Sequence, residues 1–115
     1  MANPVTHFEI QADDAAAQQK FYADLFGWEI DANNPMHYGM ISKGAEHGIA
    51  GGIGPAMEGK RVTFYVEVED LDATLKDVEA KGGKKLMDPM DVPGGPTIAL
   101  FGDPEGNVIG IMKGM

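Results

Sequence analysis

The chain has 115 residues, 9 Lys and Arg against 18 Asp and Glu for a formal net charge of −9, and no cysteine. That length suits one ordinary domain with a core of its own, while the missing cysteines exclude disulfide staples, thiolate metal sites and a cysteine nucleophile. The acidic balance argues against nucleic acid and anionic membrane as partners, because both are held through clustered Lys and Arg.

Taken in chain order, Val5 to Ala12 alternates, with Phe8 and Ile10 on one face and His7, Glu9 and Gln11 on the other. Period two predicts a half-buried strand. Asp13-Asp14 supply an N-cap and first-turn carboxylates for a helix whose Ala17, Phe21 and Leu25 form an apolar stripe beside Tyr22. Gly27 stops it. Trp28 to Asp31, Met36 to Ser42 and Gly48 to Ile53 read as three strands, with Asn33-Asn34-Pro35 and Lys43 to His47 as turns. The order strand, helix, strand, strand, strand then recurs. Val62 to Val68 alternates, with Val62, Phe64, Val66 and Val68 on one face and Thr63, Tyr65 and Glu67 on the other. Asp70 caps a helix carrying Leu71, Leu75 and Val78, which Gly82-Gly83 ends. Lys84 to Met87, Thr97 to Phe101 and Asn107 to Met112 are the last three strands, separated by a loop from Asp88 to Pro96 and the turn Asp103 to Gly106.

A shift of 56 residues brings Phe8 onto Phe64, Asp14 onto Asp70, Ala17 onto Ala73, Lys20 onto Lys76 and Gly27 onto Gly83, and keeps strand parity. The later strands match at a shift of 59, which sets Gly51 on Gly110. The expected fold is therefore α+β: two tandem βαβββ modules forming cupped mixed sheets, with helices on the outer face. Module one covers about residues 4–54, the link 55–60 and module two about 61–114, within a single domain. Phe8, Ile10, Phe64 and Val66 are expected to face the helices. The other parity gathers an imidazole, carboxylates, an amide and a phenol at strand centres, a composition suited to a concave ligand cleft.

Several stretches carry a family likeness. Val5-Thr6-His7-Phe8-Glu9-Ile10, Phe21-Tyr22-x-x-Leu25-Phe26-Gly27-Trp28, Val66 to Ala73 and Asp103-Pro104-Glu105-Gly106-Asn107 resemble the vicinal oxygen chelate superfamily, which includes glyoxalase I, bleomycin-resistance proteins and extradiol dioxygenases. The resemblance covers essentially the whole chain. It implies a metal held by four residues on the first and last strands of each module, and these positions fall on His7, Gly51, Thr63 and Gly110. Glycine has no donor, and a neutral hydroxyl is a poor ligand for Zn²⁺, Ni²⁺ or Fe²⁺. With three of the four ligands missing, no metal cofactor is expected. The two glycines are instead expected to open space at the floor of the cleft.

Two small-molecule functions compete, beside a third in which the chain is a dimeric accessory protein whose cleft serves no small molecule. In the first, the chain is a small-molecule-binding protein of the glyoxalase/bleomycin-resistance type, taking a cationic or aromatic compound. Its site would comprise His7, Glu9, Trp28, Tyr38, Met40, Gly51, Thr63, Tyr65, Glu67 and Gly110. In the second it is a glyoxalase-like lyase, isomerase or dioxygenase acting on a small oxygenated substrate, with His7 and Glu9 in acid–base or metal roles. An isologous homodimer is expected from the resemblance. The first 20 residues carry Asp13 and Asp14 and no long apolar run, so neither a secretory leader nor a membrane span is expected, and the expected location is cytoplasmic.

Overall fold

In the computed structural model, which describes residues 2–44, 46–56 and 58–114, strands and helices follow one another as two successive βαβββ runs. Ala45 and Met57, which fall in the expected turn and link, lie outside the described residues. The first run is β1 (Val5–Ala12), α1 (Ala15–Phe26), β2 (Ile30–Asp31), β3 (Gly39–Ile41) and β4 (Ala50–Pro55). The second is β5 (Arg61–Val68), α2 (Leu71–Ala80), β6 (Lys84–Asp91), β7 (Thr97–Gly102) and β8 (Val108–Lys113). Contacts gather Thr6–Thr63 into one compact unit, and Phe64–Met115 with Met1–Val5 into another. Among the described residues, no helix is long and apolar enough to cross a membrane.

Each unit holds a mixed sheet of the same plan. In the first the spatial order is β2-β3-β4-β1, with β1 parallel to β4 and the other pairs antiparallel. In the second the order β6-β7-β8-β5 repeats it, with β5 parallel to β8. A parallel pair needs a crossover, and the helix after each first strand begins it. Both helices start at the expected caps: Asp14 Oδ1 accepts from the Ala17 amide at 3.1 Å and Asp70 Oδ1 from the Ala73 amide at 3.0 Å. Gly27 ends α1 in the left-handed region at φ 70°, where a side chain would be strained.

The cores follow from strand parity. In the first unit Ile10, Ile41 and Ile53 are buried, with Phe8, Tyr22, Trp28 and Ile30 packed on them. In the second Val68, Leu71, Leu75, Ala99 and Ile111 are buried, with Val66 and Phe101 against them. Four expectations need correcting. The α1 stripe Ala17, Phe21, Leu25 faces outward, with Phe21 and Leu25 55% and 58% exposed. Its half-buried face is Ala15, Gln18, Gln19, Tyr22 and Ala23, because Trp28 just beyond the helix takes the Tyr22 ring as its stacking partner at 5.5 Å and 12°. In β5, Val62 and Phe64 are exposed while Thr63 and Tyr65 are each only 5% exposed. The core below α2 reaches only Val66 and Val68 on that parity. Strand β6 runs on to Asp91 through part of the expected loop, with register breaks around Met87; Pro89 is tolerated because β6 ends the sheet.

The fourth correction concerns register. Ile10 pairs with Ile53, whereas its repeat partner Val66 pairs with Ile111, so the last strands match at a shift of 58 rather than 59. One residue moves every side chain to the opposite face. Gly110 is therefore the counterpart of Gly52, not of Gly51.

Candidate functional site

Alternation along β1 sets His7, Glu9 and Gln11 on one face of the first unit's sheet. The register with β4 places Ala50, Gly52 and Gly54 beside them, three positions with almost no side chain. That bare strip is filled from outside. The Tyr38 ring lies across it so closely that a Cβ on Gly52 would overlap the ring and hydroxyl, and one on Gly54 would stand 2.6 Å from its Cδ1.

Seated there, Tyr38 joins the two groups that β1 presents. Its hydroxyl donates to Glu9 Oε2 at 3.0 Å, and His7 Nε2 stands 3.0 Å from the Tyr38 hydroxyl oxygen. With the phenolic hydrogen directed to the carboxylate, His7 donates from Nε2, a tautomer assigned from this bonding pattern. The imidazole and phenol rings are nearly parallel, 16° apart. On the far side Gln11 Nε2 donates to Glu9 Oε1 at 2.9 Å. The result is a linear relay, His7 to Tyr38 to Glu9, closed by Gln11. Burial lowers the His7 pKa below the ordinary imidazole value, and the nearby Glu9 charge opposes that shift without cancelling it. His7 is thus neutral at neutral pH.

The segment before β3 is built to hold Tyr38. Asn34 clamps its backbone twice, Oδ1 accepting from the Tyr38 amide at 3.0 Å and Nδ2 donating to the Tyr38 carbonyl at 2.7 Å. His37 takes the left-handed conformation at φ 52°, unusual for a residue with a side chain. Gln19, on the half-buried side of α1, donates to the His37 carbonyl at 3.2 Å and to the Ile53 carbonyl at 2.8 Å, tying the turn to β4. Gln11, Gln19 and Asn34 were not among the site residues expected from sequence. Gln19 stands between Gln18 and Lys20 in α1, and no signal in the sequence singles it out.

The other expected site residues divide. Met40 pairs with Gly52 and so stands on the Glu9 face, exposed. Trp28 belongs to the core, its ring 5.5 Å from Phe8. Gly51 pairs with Phe8 and lies under that ring on the core face, one pleat away from His7. Thr63 is buried. In the second unit Tyr65, Glu67 and Gly110 share a face, with the Tyr65 ring covering Gly110. The expectation that Gly51 and Gly110 open space is therefore wrong: an aromatic ring of the same unit fills each place. His47 is exposed in its turn, and His37 lies in a turn rather than at the start of a strand.

The four-ligand metal set implied by the resemblance does not fit these residues. Two of its positions are glycines covered by rings, and the His7 nitrogen that faces the relay is bonded to Tyr38. Among the described residues no three His, Asp or Glu side chains group closely enough to hold an ion.

Comparison with known proteins agrees with the fold. The model of the Glyoxalase/Bleomycin resistance protein/Dioxygenase superfamily matches residues 5–111. A glyoxylase-like domain-containing protein of Didymella fabae is 35% identical over 115 residues, covering 90% of this chain and 88% of that protein. The anthracycline biosynthesis protein DnrV of Streptomyces peucetius is 32% identical over 124 residues, covering 92% of this chain and 45% of DnrV. The chain likewise spans 43% of its mycobacterial relatives, so it is under half the length of several proteins it matches. The Mn(II)-bound glyoxalase of Novosphingobium aromaticivorans shares the fold at a TM-score of 0.68 and 24% identity, over 97% of this chain and 40% of that one. Sequence model, relatives and βαβββ topology agree: the chain belongs to the glyoxalase/bleomycin resistance protein/dioxygenase superfamily.

Proposed function

We propose that this chain is a small-molecule-binding protein that takes its ligand at the His7–Tyr38–Glu9 face without the four-residue metal set of its family. The observation that carries this reading is the Tyr38 hydroxyl, bonded to both His7 and Glu9 over a glycine strip where any Cβ at Gly52 or Gly54 would collide with the Tyr38 ring. A carboxylate, an aromatic ring and the adaptable Met40 side chain suit a cationic or aromatic compound. Glu67 offers a second carboxylate in the other unit. The protein acts as a homodimer in this reading, which light scattering after size exclusion tests.

The test of binding is a thermal-shift screen in chelator against cationic aromatic compounds, run beside a panel of divalent metals. The reading expects saturable stabilisation by a cationic aromatic compound in chelator, weakened in Tyr38→Phe and Glu9→Gln. Stabilisation by metals alone would overturn it.

One observation favours a second reading. A neutral His7, coupled through Tyr38 to Glu9, is in the protonation state that a general base requires. In a glyoxalase-like lyase or isomerase, His7 and Glu9 would exchange a proton with an acidic C–H of the substrate through this relay. Turnover of a methylglyoxal–thiol hemithioacetal, lost in His7→Gln, would decide for it. An inactive protein that still binds cationic aromatics would decide against it.

A further inference from the structure

We propose that Gln11 is a specificity-determining residue, selecting ligands that present N–H groups and turning anions away. This rests on reading the His7–Tyr38–Glu9 face as the ligand site. Gln11 Oε1 is buried and accepts no hydrogen bond from any described residue. Its orientation is not a free choice. The other end of the amide, Nε2, donates to Glu9 Oε1 at 2.9 Å, and exchanging the two atoms would set a carbonyl oxygen against a carboxylate.

The orphaned carbonyl is unusual, since nearly all buried acceptors in folded proteins have partners. Its neighbour across the parallel pair is Gly54, which has no side chain, and the Tyr38 hydrogen is directed to Glu9 Oε2. Amide and carboxylate lie two residues apart on one face of β1, held together by their mutual bond. A ligand N–H that takes the place of Gln11 Nε2 on Glu9 Oε1 releases the amide, and rotation about its terminal torsion then brings the carbonyl to the same ligand.

A ligand head with several N–H donors on one planar group satisfies both acceptors together. An amidinium or guanidinium does so with charge-assisted, paired bonds to the carboxylate and a further bond to the amide oxygen. A carboxylate or phosphate meets the Glu9 charge and an amide oxygen that repels it. The end of the site at Gln11 is thereby assigned to nitrogen-donor cations.

Benzamidinium and benzoate, matched in shape and opposite in charge, test this on uniformly ¹⁵N-labelled protein in chelator. Benzamidinium is expected to saturate and to move the Gln11 side-chain NH₂ signals, while benzoate moves nothing. Gln11→Met, which keeps the length of the side chain and removes the carbonyl, is expected to weaken benzamidinium at least tenfold. Gln11→Glu, which keeps an acceptor there, is expected to retain binding. Benzamidinium binding that leaves the Gln11 signals unmoved overturns the proposal, as does unchanged affinity in Gln11→Met. If Glu9→Gln still weakens binding in that case, the site reading stands and only the role of Gln11 falls. Benzoate binding as tightly as benzamidinium, or a failure of benzamidinium to bind wild type, also overturns the role of Gln11. Failure of every cationic aromatic compound in the thermal-shift screen would remove the site reading itself.

Discussion

Replacing Gly52 by Ala tests the seat of Tyr38 with one methyl group. That methyl would occupy the space of the Tyr38 ring and hydroxyl, so the ring must leave β4 and both of its bonds must break. The neutral His7–Tyr38 bond contributes about 1 kcal/mol and the bond to the charged Glu9 about 1.5–3 kcal/mol. Alanine returns about 0.4–1 kcal/mol by restricting the unfolded chain. The net loss is about 1.5–3.5 kcal/mol, a fall in melting temperature of roughly 6–14 °C for a domain of this size. Differential scanning calorimetry reads it directly. Gly44→Ala is the control, because a Cβ there meets nothing within 4 Å. In the Gly52→Ala background Tyr38→Phe should cost nothing further, whereas in wild type, where it removes both bonds, it should cost about 2.5–4 kcal/mol. If Gly52→Ala melted with the Gly44→Ala control, Tyr38 would not be seated on the glycine strip.

Other consequences can be checked in the same way. His7 has a lowered pKa in the folded state, so the unfolded chain binds more protons as pH falls below about 6.5, and the contribution of His7 to stability is full above that value and declines below it. A melting-temperature profile should slope downward there in wild type and flatten in His7→Gln; an unchanged slope would assign the effect to another group. Asp14→Ala and Asp70→Ala each remove one N-cap and should each cost about 1 kcal/mol by urea denaturation, and the double variant should show their sum, since the caps belong to separate units. Phe21→Ser on the exposed side of α1 should lie within about 0.5 kcal/mol of wild type. Tyr22→Ala, which removes the ring stacked on Trp28, should be destabilising by about 2–4 kcal/mol. Equal effects at these two positions would reverse the assigned helix face.

The duplicated plan was legible because it is written in local signals. Asp14 and Asp70 cap their helices, Gly27 closes the first, and β1 alternates cleanly between Phe8 and Ile10 on one side and His7 and Glu9 on the other. The register of β4 was not legible. Gly51, Gly52 and Gly54 carry no side chain and hence no parity, so a repeat match one residue out looked as good as the right one. The face of α1 was ambiguous for the opposite reason, since apolar residues occur around much of its final turns and only the position of Trp28 selects Tyr22. The site was half readable. His7 and Glu9 share a strand face by simple alternation, but their link depends on Tyr38, which arrives through the Asn34 clamp and the left-handed His37. Glycines at two of the positions that the family resemblance assigned to ligands suggested empty space. Rings from elsewhere in each unit fill it, a property of packing that no single residue announces.

The central claim is that the His7–Tyr38–Glu9 face binds a ligand through its own side chains. Isothermal titration calorimetry of a cationic aromatic compound in chelator, comparing wild type with Tyr38→Phe, tests it most directly. Saturable binding in wild type that weakens about tenfold on loss of the Tyr38 hydroxyl is the predicted result. Binding that requires an added divalent ion, and that Tyr38→Phe leaves unchanged, would contradict the account.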